Sequence, residues 1–262
     1  MKRIGRALYL ILAFVLLYLP IVYLAYFSFS SGKDMVRFQH FSWVHYQVLW
    51  SDKELLAIFL QTIILAILSS LIATAIGTCG AWGIFRLRGY RRKTMLVLNN
   101  VLMVAPDVII GASFLICFTA LGIGLGFFSV LLSHIAFSIP IVVLMVLPRL
   151  QDLDLTLIDA AQDLGAGRGV IFNQIVLPEI MPGILSGLFM ALTYSLDDFA
   201  VTFFVTGNGF KTLSVEIYSR ARQGINLEIN ALSTVMLLVV MLLAGGYLFL
   251  TRQHELALGA RS

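Results

Sequence analysis

The sequence predicts an all-α membrane protein with six transmembrane helices, and three observations support that fold class. The chain has 262 residues, of which 60% are hydrophobic and 12% are charged, and its mean hydropathy is +0.94. Several uncharged stretches exceed the about 20 residues that a helix needs to cross the hydrocarbon layer. Basic residues are distributed unequally between alternate connections, as in multi-pass proteins. A soluble domain of this length has too little core to bury so many apolar stretches.

The uncharged stretches give the six helices in chain order. We predict spans at residues 7–29, within 55–85, twice between 94 and 148, at 182–204 and at 229–251. Gly122, Gly124 and Gly126 mark the turn between the third and fourth spans. The basic start followed by an apolar stretch is typical of a signal peptide, but this stretch is too long and lacks a small-residue cleavage site. We therefore expect an uncleaved first span.

The basic residues also predict the orientation in the membrane. With the amino terminus inside, 12 of the 18 lysines and arginines fall in inner segments and six in outer segments. Because basic residues accumulate on the cytoplasmic side, this distribution places both termini in the cytoplasm of a multi-pass cell-membrane protein. It favours topology over the binding of a lipid or a partner as the explanation of the basic cluster at 86–93. It also explains the net charge of +4 without a nucleic-acid partner.

A long inner connection, residues 148–179, has helical patterning of its own. Apolar residues recur at Leu155, Ile158, Ala161 and Leu164 with polar residues between them, which predicts an amphipathic helix. Gly165 follows, where a left-handed residue would end that helix. A second short helix is expected at 169–176. The two helices would lie parallel to the membrane.

The same connection carries a recognisable spacing. Asp159-Ala160-Ala161, Gly165 after three residues, and Ile175-x-Leu177-Pro178 after nine more resemble the EAA signature of ABC importer permeases. The resemblance implies the type I ABC importer permease fold, with 148–179 as the cytoplasmic coupling loop and these seven residues contacting a separate ATP-hydrolysing subunit. Asp159 stands where the signature has Glu, which keeps the charge on a shorter side chain. An ordinary surface-lying amphipathic helix is the alternative.

Three aspartates lie within predicted spans. Asp107 belongs to the third span, and the adjacent Asp197 and Asp198 belong to the fifth. A carboxylate at membrane depth costs about 2.5–3.5 kcal/mol, so its presence favours a function. Adjacent carboxylates repel each other, and a cationic substrate would relieve that repulsion. The alternatives are that Asp197 is solvated at the end of its span and that Asp107, after Pro106, caps a helix.

The residues around these aspartates carry a second resemblance. Residues 194–199 (Tyr-Ser-Leu-Asp-Asp-Phe), 203–207 and Ala105-Pro106-Asp107 closely resemble the permease subunits of spermidine/putrescine importers. The resemblance implies polyamine import, with Asp107, Asp197, Asp198 and Tyr194 as substrate contacts. It also implies a heterodimer with a second permease subunit, two ATP-binding subunits and an extracellular polyamine-binding protein. The whole chain, 1–262, would be one permease domain, with 55–250 as the core shared by importer permeases.

Several other polar residues have two interpretations each. Tyr194 could contact an ammonium group or be an aromatic packing neighbour. His134 is the only histidine in a predicted span, and a helix–helix hydrogen bond is favoured over proton relay. Residues 212–222 are expected to form a short outer helix that ends at Gly224. Its Glu216, Arg220 and Arg222 would contact the binding protein or be solvated.

The sequence does not predict an enzyme. Gly32-Lys33-Asp34 and Phe210-Lys211-Thr212 lack the spacing of a phosphate-binding loop, so ATP and Mg would be bound by a partner subunit and no cofactor by this chain. Cys79 and Cys117 lie in apolar stretches that favour neither a disulfide nor a metal site. An intramembrane aspartyl enzyme would lack its glycine motifs here, and a passive channel needs no coupling loop. The main alternative is an ABC permease for another cationic or neutral solute.

Overall fold

The computed structural model describes residues 2–32, 34–223 and 227–259. Lys33, Gly224 and Arg261, which entered the sequence analysis, lie outside these residues. The helices are α1 (Lys2–Ser28), α2 (Val44–Ser51), α3 (Lys53–Arg86), α4 (Gly89–Val104), α5 (Asp107–Ala120), α6 (Phe127–Gln151), α7 (Leu155–Asp163), α8 (Arg168–Ile171), α9 (Leu177–Asp197), α10 (Ala200–Val205), α11 (Leu213–Gln223) and α12 (Leu227–Gly259), with a π-helical turn, Phe172–Val176, between α8 and α9.

The helices confirm the predicted membrane-spanning architecture. In the described part of the chain, five helices are long and apolar enough to cross a membrane, and a sixth span results when α4 and α5 are taken as one broken span. The turn predicted between the third and fourth spans is present, since α5 ends at Ala120 and α6 begins at Phe127. Gly122 in that turn has a φ of +69°, which glycine adopts without strain. The protein is therefore a multi-pass, all-α membrane protein.

The third span is not the single uninterrupted crossing that we expected from an apolar stretch with Asp107 as its only charge. α4 and α5 meet at an angle of 103°. Ala105 has an extended conformation, with ψ at 138°, and Pro106 follows it. Proline has no N–H for a helical hydrogen bond and disfavours the α conformation of the residue before it. The break places Asp107 in the first turn of α5, at the bend in the middle of the broken span.

The fifth span also differs from its prediction at 182–204. One helical run extends from Arg168 to Asp197, and α10 follows as a separate short helix. The second coupling-loop helix, predicted separately at 169–176, is therefore the beginning of the long run. Pro178 lies in the first turn of α9, where its missing N–H is tolerated. The π-helical turn immediately before α9 keeps the run continuous.

Contacts divide the chain into two compact units, each described by itself: Met1–Phe59 with Val215–Leu242, and Leu60–Ser214 with Leu243–Ser262. In the first unit, Arg220 donates hydrogen bonds to Glu216 at 2.7 Å and to Asp52 at 3.3 Å, and lies 4.0 Å from Glu228. Hydrogen bonds from the Leu55 amide and from Arg220 hold the pKa of Asp52 below its usual value. This ion network stabilises α11. The short helix predicted at 212–222 is present as α11, and its location outside the membrane stays a prediction.

In the second unit, α6 is the central helix. Its Val142 is fully buried and lies against two glycines, Gly77 of α3 and Gly187 of α9. A Cβ atom added to Gly77 would lie 2.7 Å from Val142 Cβ, and one added to Gly187 would lie 3.2 Å from Val142 Cα. The absence of side chains at these two positions lets the three helices approach closely, as is usual at helix contacts in membranes.

We expect Gly77→Ala to destabilise this contact by about 1–3 kcal/mol, because the added methyl group overlaps Val142. Thermal unfolding of the purified protein in detergent would measure the loss. Gly83→Ala is the matched control, since Gly83 lies in the same helix and an added Cβ there meets nothing within 4 Å. Val142→Ala combined with Gly77→Ala should restore part of the stability. Equal unfolding temperatures for the two single variants would contradict the close contact.

Candidate functional site

Asp198 lies at the break between α9 and α10 and holds the start of α10. Its carboxylate accepts hydrogen bonds from the backbone amides of Val201 at 3.2 Å and Thr202 at 2.8 Å, and from Thr202 Oγ1 at 2.7 Å. Only 8% of Asp198 is exposed. Amides at the beginning of a helix lack intrahelical acceptors, so a carboxylate there satisfies them and is itself stabilised. Asp198 is thus a buried carboxylate that is hydrogen-bonded to the first turn of α10.

His134 of α6 connects this carboxylate to two other helices. The imidazole is fully buried, with Nδ1 2.7 Å from Ser195 Oγ and Nε2 2.9 Å from Thr202 Oγ1. Nε2 is also 3.5 Å from Asp198 Oδ2. Ser195 Oγ in turn lies 3.1 Å from Ser69 Oγ of α3. The predicted helix–helix hydrogen bond of His134 is confirmed, and it forms part of a chain that joins α3, α6, α9 and α10.

The direction of one bond in this chain follows from its donors. Thr202 Oγ1 gives its single proton to the Asp198 carboxylate, which only accepts, so this oxygen accepts from His134 Nε2. Nδ1 lies within hydrogen-bond distance of Ser195 Oγ. Buried networks of this kind make a local conformation rigid.

Asp197, adjacent to Asp198, has a different environment. It is the last residue of α9 and its side chain is exposed. The two carboxylates, which the sequence suggested would act as a pair, therefore face different surroundings. The position of Asp197 at a helix end agrees with the alternative of a carboxylate at the end of its span.

Asp107 and Tyr194 are brought together from α5 and α9. Tyr194 Oη donates a hydrogen bond to Asp107 Oδ1 at 2.9 Å, and the carboxylate is otherwise exposed. The ring of Tyr194 packs edge-on against Phe137, with centroids 4.8 Å apart. Pro106, and not Asp107, occupies the cap position of α5, and no side-chain cap bond forms there. Asp107 is therefore positioned by Tyr194 rather than used as a helix cap.

The network also contains residues that sequence reasoning missed. Ser69, Ser195 and Thr202 were not singled out, although Thr202 lies four residues after Asp198, a spacing at which a carboxylate can hold the start of a helix. Ser69 had no such local signal, because its partner Ser195 is 126 residues away. Long-range hydroxyl pairs of this kind depend on how helices pack.

The amphipathic helix α7 was predicted correctly. Asp154 caps its first turn by accepting from the Thr156 amide at 3.0 Å. At its end, the Gly165 amide donates to Gln162 O and the Ala166 amide to Ala161 O, both at 2.9 Å, with Gly165 at φ +79°. These paired bonds form a Schellman motif, which confirms the left-handed glycine cap. Ile158 and Ala161 pack on the core.

The remaining residues of the predicted coupling set are distributed along this segment and the next helix. Asp159 and Ala160 are exposed, whereas Ile158 and Ala161 of the same helix pack on the core. Ile175 lies in the π-helical turn and packs on the core, while Leu177 and Pro178 form the first turn of α9. Among the described residues, no group of three or more histidine, cysteine, aspartate or glutamate side chains could hold a metal ion.

Comparisons with known proteins give a consistent result. Residues 73–255 match the family described as "Binding-protein-dependent transport system inner membrane component". The chain is 35% identical over 237 residues to the "Spermidine/putrescine transport system permease protein PotC" of Escherichia coli (strain K12), covering 90% of each chain. It is 34% identical over 239 residues to the "Putrescine transport system permease protein PotI" of the same strain, covering 88% of this chain and 85% of the relative.

Solved structures resemble the fold. A bacterial ABC transporter involved in the import of the acidic polysaccharide alginate matches with a TM-score of 0.72 at 17% identity, covering 96% of each chain. The MetNI methionine ABC transporter in an inward-facing conformation matches with a TM-score of 0.64 at 17% identity, covering 78% of this chain and 99% of the other. At this identity the likeness concerns the fold and not the substrate.

Proposed function

The chain belongs to the family of binding-protein-dependent transport system inner membrane components, and from that membership we propose that it is a permease subunit of a polyamine importer. Relatives that are 35% and 34% identical bear the names of spermidine/putrescine and putrescine permeases. The observation in the molecule that carries the proposal is the exposed carboxylates of Asp107 and Asp197 in otherwise apolar helices.

A polyamine suits this arrangement chemically. It carries several ammonium groups separated by methylene linkers, and each ammonium loses hydration on entering a membrane protein. A carboxylate along the path compensates that loss. Two carboxylates on different helices, α5 and α9, would accept two ammonium groups of one extended molecule. A neutral sugar has no charge for them to compensate, and an anion is repelled.

The four predicted substrate residues then have distinct roles. Asp107 and Asp197 meet the ammonium groups. Tyr194 positions the Asp107 carboxylate by its hydrogen bond of 2.9 Å and borders the site. Asp198 fixes the α9–α10 break, so that its neighbour Asp197 is held in place through the network with His134. In this proposal Asp198 acts through position rather than by contact.

We propose that this chain assembles with the partner subunits that the family resemblance implies. A second permease subunit forms the other half of the pathway, two ATP-binding subunits carry ATP and Mg, and an extracellular binding protein delivers the polyamine. Both termini lie in the cytoplasm, on the side of α7. The exposed Asp159 and Ala160 contact an ATP-binding subunit, while Ile158 and Ala161 transmit its movement to the core.

Competition for uptake tests the substrate. The chain, assembled with the other subunits of its transporter in proteoliposomes, should accumulate radiolabelled spermidine when ATP is enclosed. Unlabelled putrescine in excess should reduce the accumulation, whereas thiamine and a neutral sugar should not. Uptake of thiamine or of the sugar with spermidine excluded would support the alternative, an ABC permease for another cationic or neutral solute.

A further inference from the structure

A cavity of about 620 Å³ lies between the end of α3 and the coupling loop, residues 148–179. Asp107, Asp197 and Asp198 do not line it. Its lining joins two kinds of chemistry. The rings of Trp82, Phe85 and Phe172 form an aromatic part, and Arg86 and Arg168 contribute two guanidinium groups. A volume of this size lies within the usual range of about 300–1,000 Å³ for small-ligand sites. The transport pathway proposed above makes no use of this cavity.

The two arginines lack a counterion in the described part of the chain. Arg86 stacks over the ring of Trp82 at 4.7 Å, and neither it nor Arg168 forms an ion pair with a described carboxylate. A guanidinium presents a planar fork of donors that matches phosphate oxygens, and stacking on an aromatic ring leaves that fork available. The cavity is therefore suited to an anion that carries a phosphate group.

The position of the cavity favours a lipid as the source of that phosphate. Arg86 ends α3 directly after the uncharged stretch 55–85, and Arg168 begins the apolar helical run to Asp197. The rings of Trp82 and Phe172 pack edge-on with centroids 5.5 Å apart, so these two helix ends lie side by side. Arginine and tryptophan at span ends are typical of the membrane interface, where lipid phosphates lie.

We propose that this cavity binds the phosphate headgroup of an anionic membrane phospholipid, with Arg86 and Arg168 holding the phosphate and Trp82 packing on the glycerol region. Ile158 and Gln162 of α7 line the same cavity. A bound headgroup would therefore stabilise the position of the coupling loop against the end of α3. The inference concerns lipid dependence and is independent of which solute is carried.

Lipid retention by the full chain in nanodiscs tests the proposal. Nanodiscs would contain phosphatidylglycerol in a phosphatidylcholine background, and native mass spectrometry would count the phosphatidylglycerol that stays bound. Arg86→Gln combined with Arg168→Gln should weaken retention by about tenfold or more, since charge-assisted bonds to phosphate are lost. Arg88→Gln combined with Arg91→Gln is the matched control, because these exposed residues belong to the same basic segment and do not line the cavity.

A second variant separates a specific site from a folding defect. Trp82→Phe keeps an aromatic ring beneath Arg86 and should retain most of the bound lipid, whereas Trp82→Leu should lose it at unchanged helix content. Equal losses in the two arginine pairs would overturn the proposal in favour of a general basic surface.

The source of the phosphate is tested separately. Displacement of the lipid by inorganic phosphate at millimolar concentration would assign the cavity to a soluble anion and overturn the lipid source. Release of the lipid when the ATP-binding subunits assemble would show that a protein side chain fills the cavity, and would overturn the proposal as well. Retention through both steps would support it.

Discussion

Asp107→Asn combined with Asp197→Asn should lower polyamine uptake by about 100-fold at unchanged assembly of the transporter. Each exposed carboxylate is proposed to replace the hydration of one ammonium group, and a hydrogen bond to a charged group contributes about 1.5–3 kcal/mol. Loss of one such contact corresponds to about tenfold or more. Asparagine keeps the size and one acceptor oxygen, so the change removes the negative charge and replaces the second oxygen by an amino group. Initial rates of radiolabelled spermidine uptake in proteoliposomes would measure the effect.

The control for this prediction is Asp152→Asn, which removes an exposed carboxylate at the end of α6, outside the proposed pathway. It should leave uptake within about twofold of the parent, as usual for surface changes. Asp198→Asn is informative beside it, because Asp198 holds α10 and His134. We expect that variant to reduce uptake together with thermal stability. Full uptake by the Asp107 and Asp197 double variant would remove the acidic pathway from the proposal.

Gly165→Val should uncouple ATP hydrolysis from transport and reduce uptake to near background. Gly165 ends α7 at φ +79°, a conformation that is strained for a β-branched residue, and its amide donates one of the two hydrogen bonds of the helix end. An added Cβ meets nothing within 4 Å, so the expected effect comes from the backbone and not from a clash. The amount of membrane-inserted protein should not change. ATPase activity and uptake, measured on the same proteoliposomes, would report the separation.

Gly169→Val is the matched control for the coupling prediction. Gly169 lies four residues further along in α8, also meets nothing within 4 Å, does not line the cavity described above, and has a negative φ that valine adopts. It should retain most of the uptake. If Gly165→Val transported normally, α7 would not be the coupling helix. If both valine variants failed, the cause would be bulk in this connection rather than the left-handed residue.

The spans were predictable because membranes impose a simple length rule, whereas the breaks within them were not. The stretch from 94 to 148, whose only charge is Asp107, indicated two crossings, yet the 103° bend at Pro106 depends on how α5 packs on α10. A proline is compatible with either a gentle kink or a full break. Similarly, the fifth span was predicted at 182–204 with Asp197 and Asp198 inside it. Only the packed structure shows that α9 ends at Asp197 and distinguishes the exposed carboxylate from the buried one.

In the coupling loop, residues 148–179, local features were likewise predictable from the sequence, whereas features that depend on packing were not. The positions of α7 and its glycine end followed from periodicity and from one residue type, since both are local. The continuity of the second helix with α9 did not follow, because Pro178 and Pro182 suggested a boundary that a π-helical turn avoids. The hydroxyl partners of His134, Ser195 and Thr202, come from two other helices, and no sequence pattern connects them to His134.

α3, α6 and α9 pack closely around Val142. This contact limits which parts of the second unit, Leu60–Ser214 with Leu243–Ser262, can change shape while a solute passes. Helices in backbone-level contact through glycines have no soft layer of side chains between them, so sliding one past another would open a void in the middle of the bundle. α4, in contrast, has no buried residue and ends at a sharp corner. We therefore expect this three-helix contact to keep its geometry during transport, and the bend at Pro106 to be where the unit changes shape.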